Sequence, residues 1–294
     1  MQIDVLIVGG SFRTAGRLES TLVEGGLSTA IATRDEDAIE LCERIRVGVI
    51  VLLADQDYPA ALRLCAALRS LDRGWVVPIL SITCSREPWQ DLSLLEAGSD
   101  DCLSLPDETG ALCLRVWRLC ELGRLRLEGL ERAFGPARYD SGSRAVRIAL
   151  VDSVADRRQE TASLLAPHFL CSPIRAPSIP DQAINTADVI LVASSSLHGA
   201  RGCLPRPNPP VGRRNNPGLL VLAETGEDLE ECCRFGGVDD IVTRPIRLAA
   251  ARARIRSLAE KRTLSMEYRQ RPAGSLLTAA DMVTLTSTER RRAA

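Results

Sequence analysis

The sequence predicts two tandem α/β domains, each a parallel sheet with helices on both faces. Three observations carry that prediction. Short apolar runs alternate with helical stretches, the runs are continuous, and the same order of elements begins again near residue 145. A strand covered on both faces has no wet side to mark with polar residues, so it reads as an unbroken apolar run. The 294 residues suffice for about two ordinary domains. Hydrophobic residues make up 45% and charged residues 26%, so both halves can bury a core. With aromatics at 3%, those cores must be built from Leu, Val, Ile and Ala.

In the first half, Ile3–Val8 (IDVLIV) runs into Gly9-Gly10, a buried strand feeding a loop. Phe12–Leu22 reads as a helix, Ile31–Ala32 as a short strand and Asp35–Ile45 as a helix. Val49–Leu53 (VIVLL) is a strand, followed by a helix over Tyr58–Leu71 with Leu64, Cys65, Leu68 and Leu71 on one face. Val76–Ile82 is the fourth strand, Trp89–Ala97 a helix, Asp101–Leu105 the fifth strand and Thr109–Phe134 a long helix. Residues 135–144 (GPARYDSGSR) form a linker. The second half has strands at Val146–Val151, Asp188–Val192, Leu219–Leu222 and Asp240–Thr243. Its helices are Asp156–Leu165, Glu227–Phe235 and Arg247–Tyr268. The expected domains are therefore 1–134 and 145–270, with a flexible tail over 271–294.

One block recurs. Ala97-Gly98-Ser99-Asp100-Asp101-Cys102-Leu103-Ser104-Leu105-Pro106 in the first half matches Gly236-Gly237-Val238-Asp239-Asp240-Ile241-Val242-Thr243-Arg244-Pro245 in the second. Each has small-Gly-x-Asp-Asp, an apolar strand and a proline, after one helix and before a long one. The blocks resemble the GADDYLTKP stretch of response-regulator receiver domains. Pro78–Cys84 (PILSITC) resembles the fourth receiver strand, and Ala61–Arg69 (ALRLCAALR) the helix after the third. The resemblance covers about 1–130 and about 145–262 and implies two flavodoxin-like (CheY-like) doubly wound five-stranded parallel sheets. Their tandem arrangement resembles PleD-type diguanylate cyclases without the GGDEF domain.

A receiver transfers phosphate with a carboxylate at the end of its third strand. An acidic pair after the first strand holds Mg²⁺, a Lys follows the fifth strand, and a Thr or Ser ends the fourth. Phosphoryl transfer is mostly positioning and charge compensation, so each part is needed. Carried onto this chain, the resemblance implies a degenerate pocket. In the first half the acidic pair falls on Gly9 and Gly10, the Lys position on Leu105 and the Thr position on Thr83. The acceptor falls on Leu53 when aligned from the following helix, or on Asp55 by the acceptor-x-x-x-Pro spacing to Pro59. In the second half the pair becomes Asp152 and Ser153. The acceptor position is Ala193, the Thr position Ala223 and the Lys position Arg244. Asp55 and Asp57 also read as loop carboxylates at a helix start. Asp152 and Arg244 either form a salt bridge that locks the pocket or are two separate charges.

The remaining features bound the function. A net charge of −1 gives no overall pull toward nucleic acid or membrane. No leader pattern or membrane-spanning run is seen, which points to the cytoplasm. The ten cysteines include no Cys-x-x-Cys pair and read as reduced thiols, and His168 and His198 lack a zinc ligand set, so no cofactor or metal is expected. Residues 198–217, rich in Pro and Arg, form either a mobile loop or a docking segment for an acidic partner. The last helix, with Arg247, Arg252, Arg254 and Arg256, is a dimerisation stalk or an ordinary helix with a charged exposed face. Residues 281–291 faintly resemble the entrance to a GGDEF domain. The expected function is that of a non-enzymatic pseudo-receiver protein in two-component or cyclic-di-GMP-type signalling. Its expected partners are a histidine kinase, response regulator or diguanylate cyclase, or a second copy of itself. In receivers, the face made by the fourth helix, fifth strand and fifth helix carries such contacts. The alternative is the regulatory portion of a PleD-like cyclase with residual phosphorylation at Asp55.

Overall fold

The computed structural model describes residues 2–54, 57–71, 74, 76–84, 87–105, 111–132, 145–204, 217–224, 229, 232 and 237–270. The first half runs β1 (Gln2–Gly9), α1 (Phe12–Glu24), β2 (Thr29–Ala32), α2 (Asp35–Arg44) and β3 (Arg46–Leu53). It continues with α3 (Tyr58–Ser70), β4 (Ile79–Thr83), α4 (Pro88–Glu96), β5 (Asp101–Ser104) and α5 (Leu112–Arg132). The second half runs β6 (Arg147–Val151), α6 (Ala155–Leu165), β7 (Leu170–Ile174), α7 (Asp181–Thr186) and β8 (Val189–Ala193). Then come α8 (Ser194–Ala200), β9 (Gly218–Ala223), β10 (Asp240–Thr243) and α9 (Leu248–Gln270).

Each half is a five-stranded, all-parallel sheet, ordered β2-β1-β3-β4-β5 and β7-β6-β8-β9-β10. The two orders are the same, and they are the order of the flavodoxin-like, CheY-like doubly wound sheet. The continuous apolar strands explain the layering. In β1, Val5 and Ile7 face one core layer with α1 and α5, while Leu6 and Val8 face the other with α2, α3 and α4. In β6, Ala149 and Val151 face one layer, and Ile148 and Leu150 the other. No described helix is long and apolar enough to cross a membrane.

The structure adds three elements that the sequence pattern does not show, β7, α7 and α8. β7 is an edge strand whose residues are exposed or half-buried, and it contains Pro173, so it lacks an apolar run. The expected linker and tail, residues 205–216 of the expected 198–217 loop and the GGDEF-like stretch lie outside the described residues, while 198–200 end α8 instead of opening a loop. Of the helix expected at Glu227–Phe235, only Leu229 and Cys232 are described, both helical.

The two domains are packed together through a buried charge cluster. The carboxylates are Asp101 at the start of β5 and Asp240 at the start of β10, the equivalent positions of the repeated block. Arg115 of α5 points its Nε at Asp240 (3.4 Å) and donates through Nη2 to the Ile241 carbonyl (3.0 Å). Arg254 of α9 mirrors this, with Nε at 3.1 Å from Asp101 and Nη2 donating to the Cys102 carbonyl (2.8 Å). Arg118 lies between them, 3.3 Å from Asp101 and 2.9 Å from Asp240, and donates to Ser257 Oγ (2.6 Å). All five charged side chains are at most 2% exposed. Around them Arg126 pairs with Glu260 (2.8 Å), Lys261 with Glu121 (2.7 Å) and Arg247 with Asp91 (2.6 Å), each across the domain boundary.

This arrangement corrects the reading of the last helix. Of the four arginines expected on a stalk or on a charged exposed face, only Arg256 is exposed, and α9 is packed against both domains. It packs on α4, α5 and β5 of the first domain as well as on β8 and β9 of its own. Arg247 and Arg254 turn into the domain boundary, while Arg256 stays exposed. The α4–β5–α5 face of the first domain is therefore covered by β10 and α9 of the second.

Candidate functional site

The candidate site in each domain is where the carboxyl ends of the central strands meet, the usual ligand position in an open parallel sheet. Strand pairing brings the expected residues to two equivalent places. In the first domain Gly9 lies opposite Leu53, Leu53 opposite Ile82, and Thr83 opposite Ser104, with the Leu105 amide donating to the Thr83 carbonyl (2.9 Å). In the second, Val151 lies opposite Val192, Ala193 opposite Leu222, and Ala223 opposite Thr243, with the Arg244 amide donating to the Ala223 carbonyl (2.9 Å). The same pattern of bonds thus aligns Leu53 with Ala193, Thr83 with Ala223 and Leu105 with Arg244. It also aligns Gly9 and Gly10 with Asp152 and Ser153. Of the two acceptor positions read from the sequence, Leu53 is the one at the end of β3. Asp55 lies outside the described residues.

Among the described residues the first site is apolar apart from Thr83. Gly10 has a left-handed backbone (φ 72°), and a Cβ there would stand 2.5 Å from Leu53 Cδ1. The Leu53 side chain therefore occupies the space that a side chain at position 10 would need. Leu53 is buried in one cluster with Ile82, Leu103 and Leu112, and Leu105 packs against the same cluster. Thr83 is buried beside them. Asp57 caps α3, its carboxylate accepting from the Ala60 amide (2.9 Å), which is the helix-start role read from the sequence.

The second site is polar but differently wired than a lock between Asp152 and Arg244. Asp152 is buried and accepts from the Val154 amide (2.9 Å). Its carboxylate faces the Arg157 guanidinium at 3.6 Å, while its backbone carbonyl accepts from Arg158 (2.7 Å). Arg157 also donates to Glu224 (2.8 Å) and to Ser195 Oγ (3.0 Å). Arg244 approaches the same Glu224 oxygen, Oε1, at 3.3 Å and donates to Thr161 Oγ1 (2.9 Å). Glu224 thus sits between two arginines, and Asp152 shares Arg157 with it. Sequence reasoning missed Arg157 and Glu224. Both are one helix turn or one residue away from positions the family motif covers, and nothing in their spacing marks them. The Ser196 hydroxyl donates to Ser153 Oγ over a long 3.2 Å.

Mg²⁺, which the receiver resemblance implies, does not fit the described residues of either site. Gly9 and Gly10 offer no carboxylate, and Asp152 is already faced by a guanidinium instead of a second acid. Because Arg244 is held by Glu224 and Thr161 at a partly exposed edge, Arg244→Ala is expected to cost only about 1 kcal/mol. A thermal melt checks this. A loss above about 3 kcal/mol would mean that Arg244 is part of a buried lock.

No family model and no curated protein matches the chain. Among solved structures, the chain is similar to the receiver domain of the Francisella response regulator 1452, at 25% identity and a TM-score of 0.35, covering 40% of this chain and 95% of that one. It is similar to a two-component response regulator from Clostridium difficile, at 25% identity, TM-score 0.35, and coverage of 40% and 94%. A third is the receiver domain of the TMAO respiratory system response regulator TorR, at 26% identity, TM-score 0.35, and coverage of 39% and 93%.

Proposed function

We propose that this chain is a non-catalytic pair of pseudo-receivers. It acts in two-component or cyclic-di-GMP-type signalling by binding other signalling proteins: a histidine kinase, a response regulator or a diguanylate cyclase. The observation that carries this reading is Leu53 packed against Gly10. An isobutyl group at the end of β3 cannot accept a phosphoryl group, and the glycines beside it cannot hold the metal that would neutralise one. In the second domain Ala193 stands at the equivalent strand end, and Arg157 supplies the positive charge beside Asp152. Each pocket has exchanged phosphoryl chemistry for permanent internal contacts, so signalling here is independent of phosphate.

A second reading rests on the Asp55-x-x-x-Pro59 spacing: the regulatory part of a PleD-like cyclase with phosphorylation surviving at Asp55. Acetyl phosphate with Mg²⁺, followed by intact-mass measurement, separates the two. The expected result is no added phosphoryl group. Stoichiometric incorporation that disappears in Asp55→Ala would replace the first reading with the second.

A further inference from the structure

At the buried centre of the domain contact, Asp101, Asp240, Arg115 and Arg254 are related by an approximate two-fold axis, and one pair of residues there breaks it. Arg118 and Ser257 stand at equivalent positions, 139 residues apart, and touch each other on that axis at 2.6 Å. The same separation relates Asp101 to Asp240 and Arg115 to Arg254. A two-fold contact between like domains would place identical residues face to face on the axis. Here an arginine faces a serine.

We propose that Arg118 and Ser257 determine specificity. They make each domain's paired face accept the unlike domain of the same chain and reject a second copy of itself. The chemistry is a matter of donors and acceptors. A guanidinium carries five N–H donors and no acceptor. Between unlike domains, the single axial guanidinium contacts Asp101, Asp240 and the Ser257 hydroxyl. In a contact between two first domains, two Arg118 side chains would meet on the axis. Neither could accept from the other. The buried cluster would hold four guanidiniums against two carboxylates. Like charges juxtaposed in a buried contact disfavour it strongly. In a contact between two second domains, two serines would meet. Their small hydroxyls would leave the outer carboxylate oxygens without the arginine that reaches both. The unlike pairing alone supplies one axial guanidinium to two acids. Each face is thereby used up within one chain, and association with other copies must use other surfaces. This inference rests on the packed domain pair and is independent of the signalling reading.

The test moves the arginine across the axis in the full chain. Ser257→Arg creates the two-arginine arrangement inside the native pair and is expected to lower the unfolding temperature by about 6 °C or more. Arg118→Ser removes the shared guanidinium and lowers it as well. The double variant Arg118→Ser/Ser257→Arg restores one axial arginine on the opposite side. It is expected to recover at least half of the Ser257→Arg loss. Should Ser257→Arg fail to fold, recovery of folded protein in the double variant is the equivalent result. The proposal is overturned if Ser257→Arg melts like the parent, or if the double variant is no better than the worse single one. It is also overturned if light scattering finds the parent chain dimeric and Ser257→Arg monomeric, because the face would then be pairing between chains.

Discussion

Asp240→Ala is expected to destabilise the protein by about 3–5 kcal/mol, the cost of breaking a buried ion pair by removing one partner. The reason lies in what remains. Arg115 and Arg118 would keep their positive charges in a space sealed from water, with Asp101 as the one remaining carboxylate between them and Arg254. Burial pushes the Asp240 carboxyl up, but Arg118, Arg115 and Arg254 together outweigh it and hold the group below the ordinary aspartate range. The sign of the pH dependence follows. A lowered folded-state pKa gives stability that is complete above the unfolded value near pH 4 and is lost as pH falls through the folded one. The gap between parent and variant should therefore be widest near neutral pH and narrow in strong acid. Urea unfolding at neutral and acidic pH measures both. Equal gaps at the two values would mean that the aspartate acts through its shape and not its charge.

Leu53→Asp is the second large effect, and it restores an acid at the end of β3 without restoring function. The position is buried among Ile82, Leu103 and Leu112. Truncating the leucine removes that packing, and an unpaired carboxylate is added to an apolar space. The expected loss is about 3 kcal/mol or more. No phosphoryl transfer should appear, because Gly9, Gly10 and Leu105 still provide neither a metal site nor a cation. Thermal unfolding and the acetyl phosphate assay read the two outcomes separately. Phosphorylation of this single variant would show that the missing partners are dispensable.

The fold was largely legible because its signals are local and repeated. Continuous apolar runs such as Ile3–Val8 and Val146–Val151 mark strands covered on both faces, and the repeated Gly-x-Asp-Asp block places β5 and β10. β7 was not legible, since an edge strand with a proline carries no apolar pattern. At the strand ends the motif placed Gly9, Leu53, Thr83 and Leu105 together, and Asp152, Ala193, Ala223 and Arg244 together. It could not show that Glu224 and Arg157 would take over the contacts of Arg244 and Asp152, because those depend on side-chain reach between elements distant in sequence. The charge cluster was hidden for the same reason. Its one local trace is Arg115 and Arg118, set among Leu112, Val116, Leu119 and Leu122, where a purely internal helix face would carry no charge.

The charged character of the domain contact also bears on synthesis. The first domain is complete more than a hundred residues before Asp240 and Arg254 exist. At ordinary translation speeds its future contact face waits uncovered for on the order of ten seconds. An apolar face of that kind would be a sticky patch on every nascent chain. Arg115, Arg118 and Asp101 instead stay hydrated during the wait and give up their water only when the second half folds onto them. A contact that is costly to desolvate is thus a safe one to leave open while the ribosome finishes.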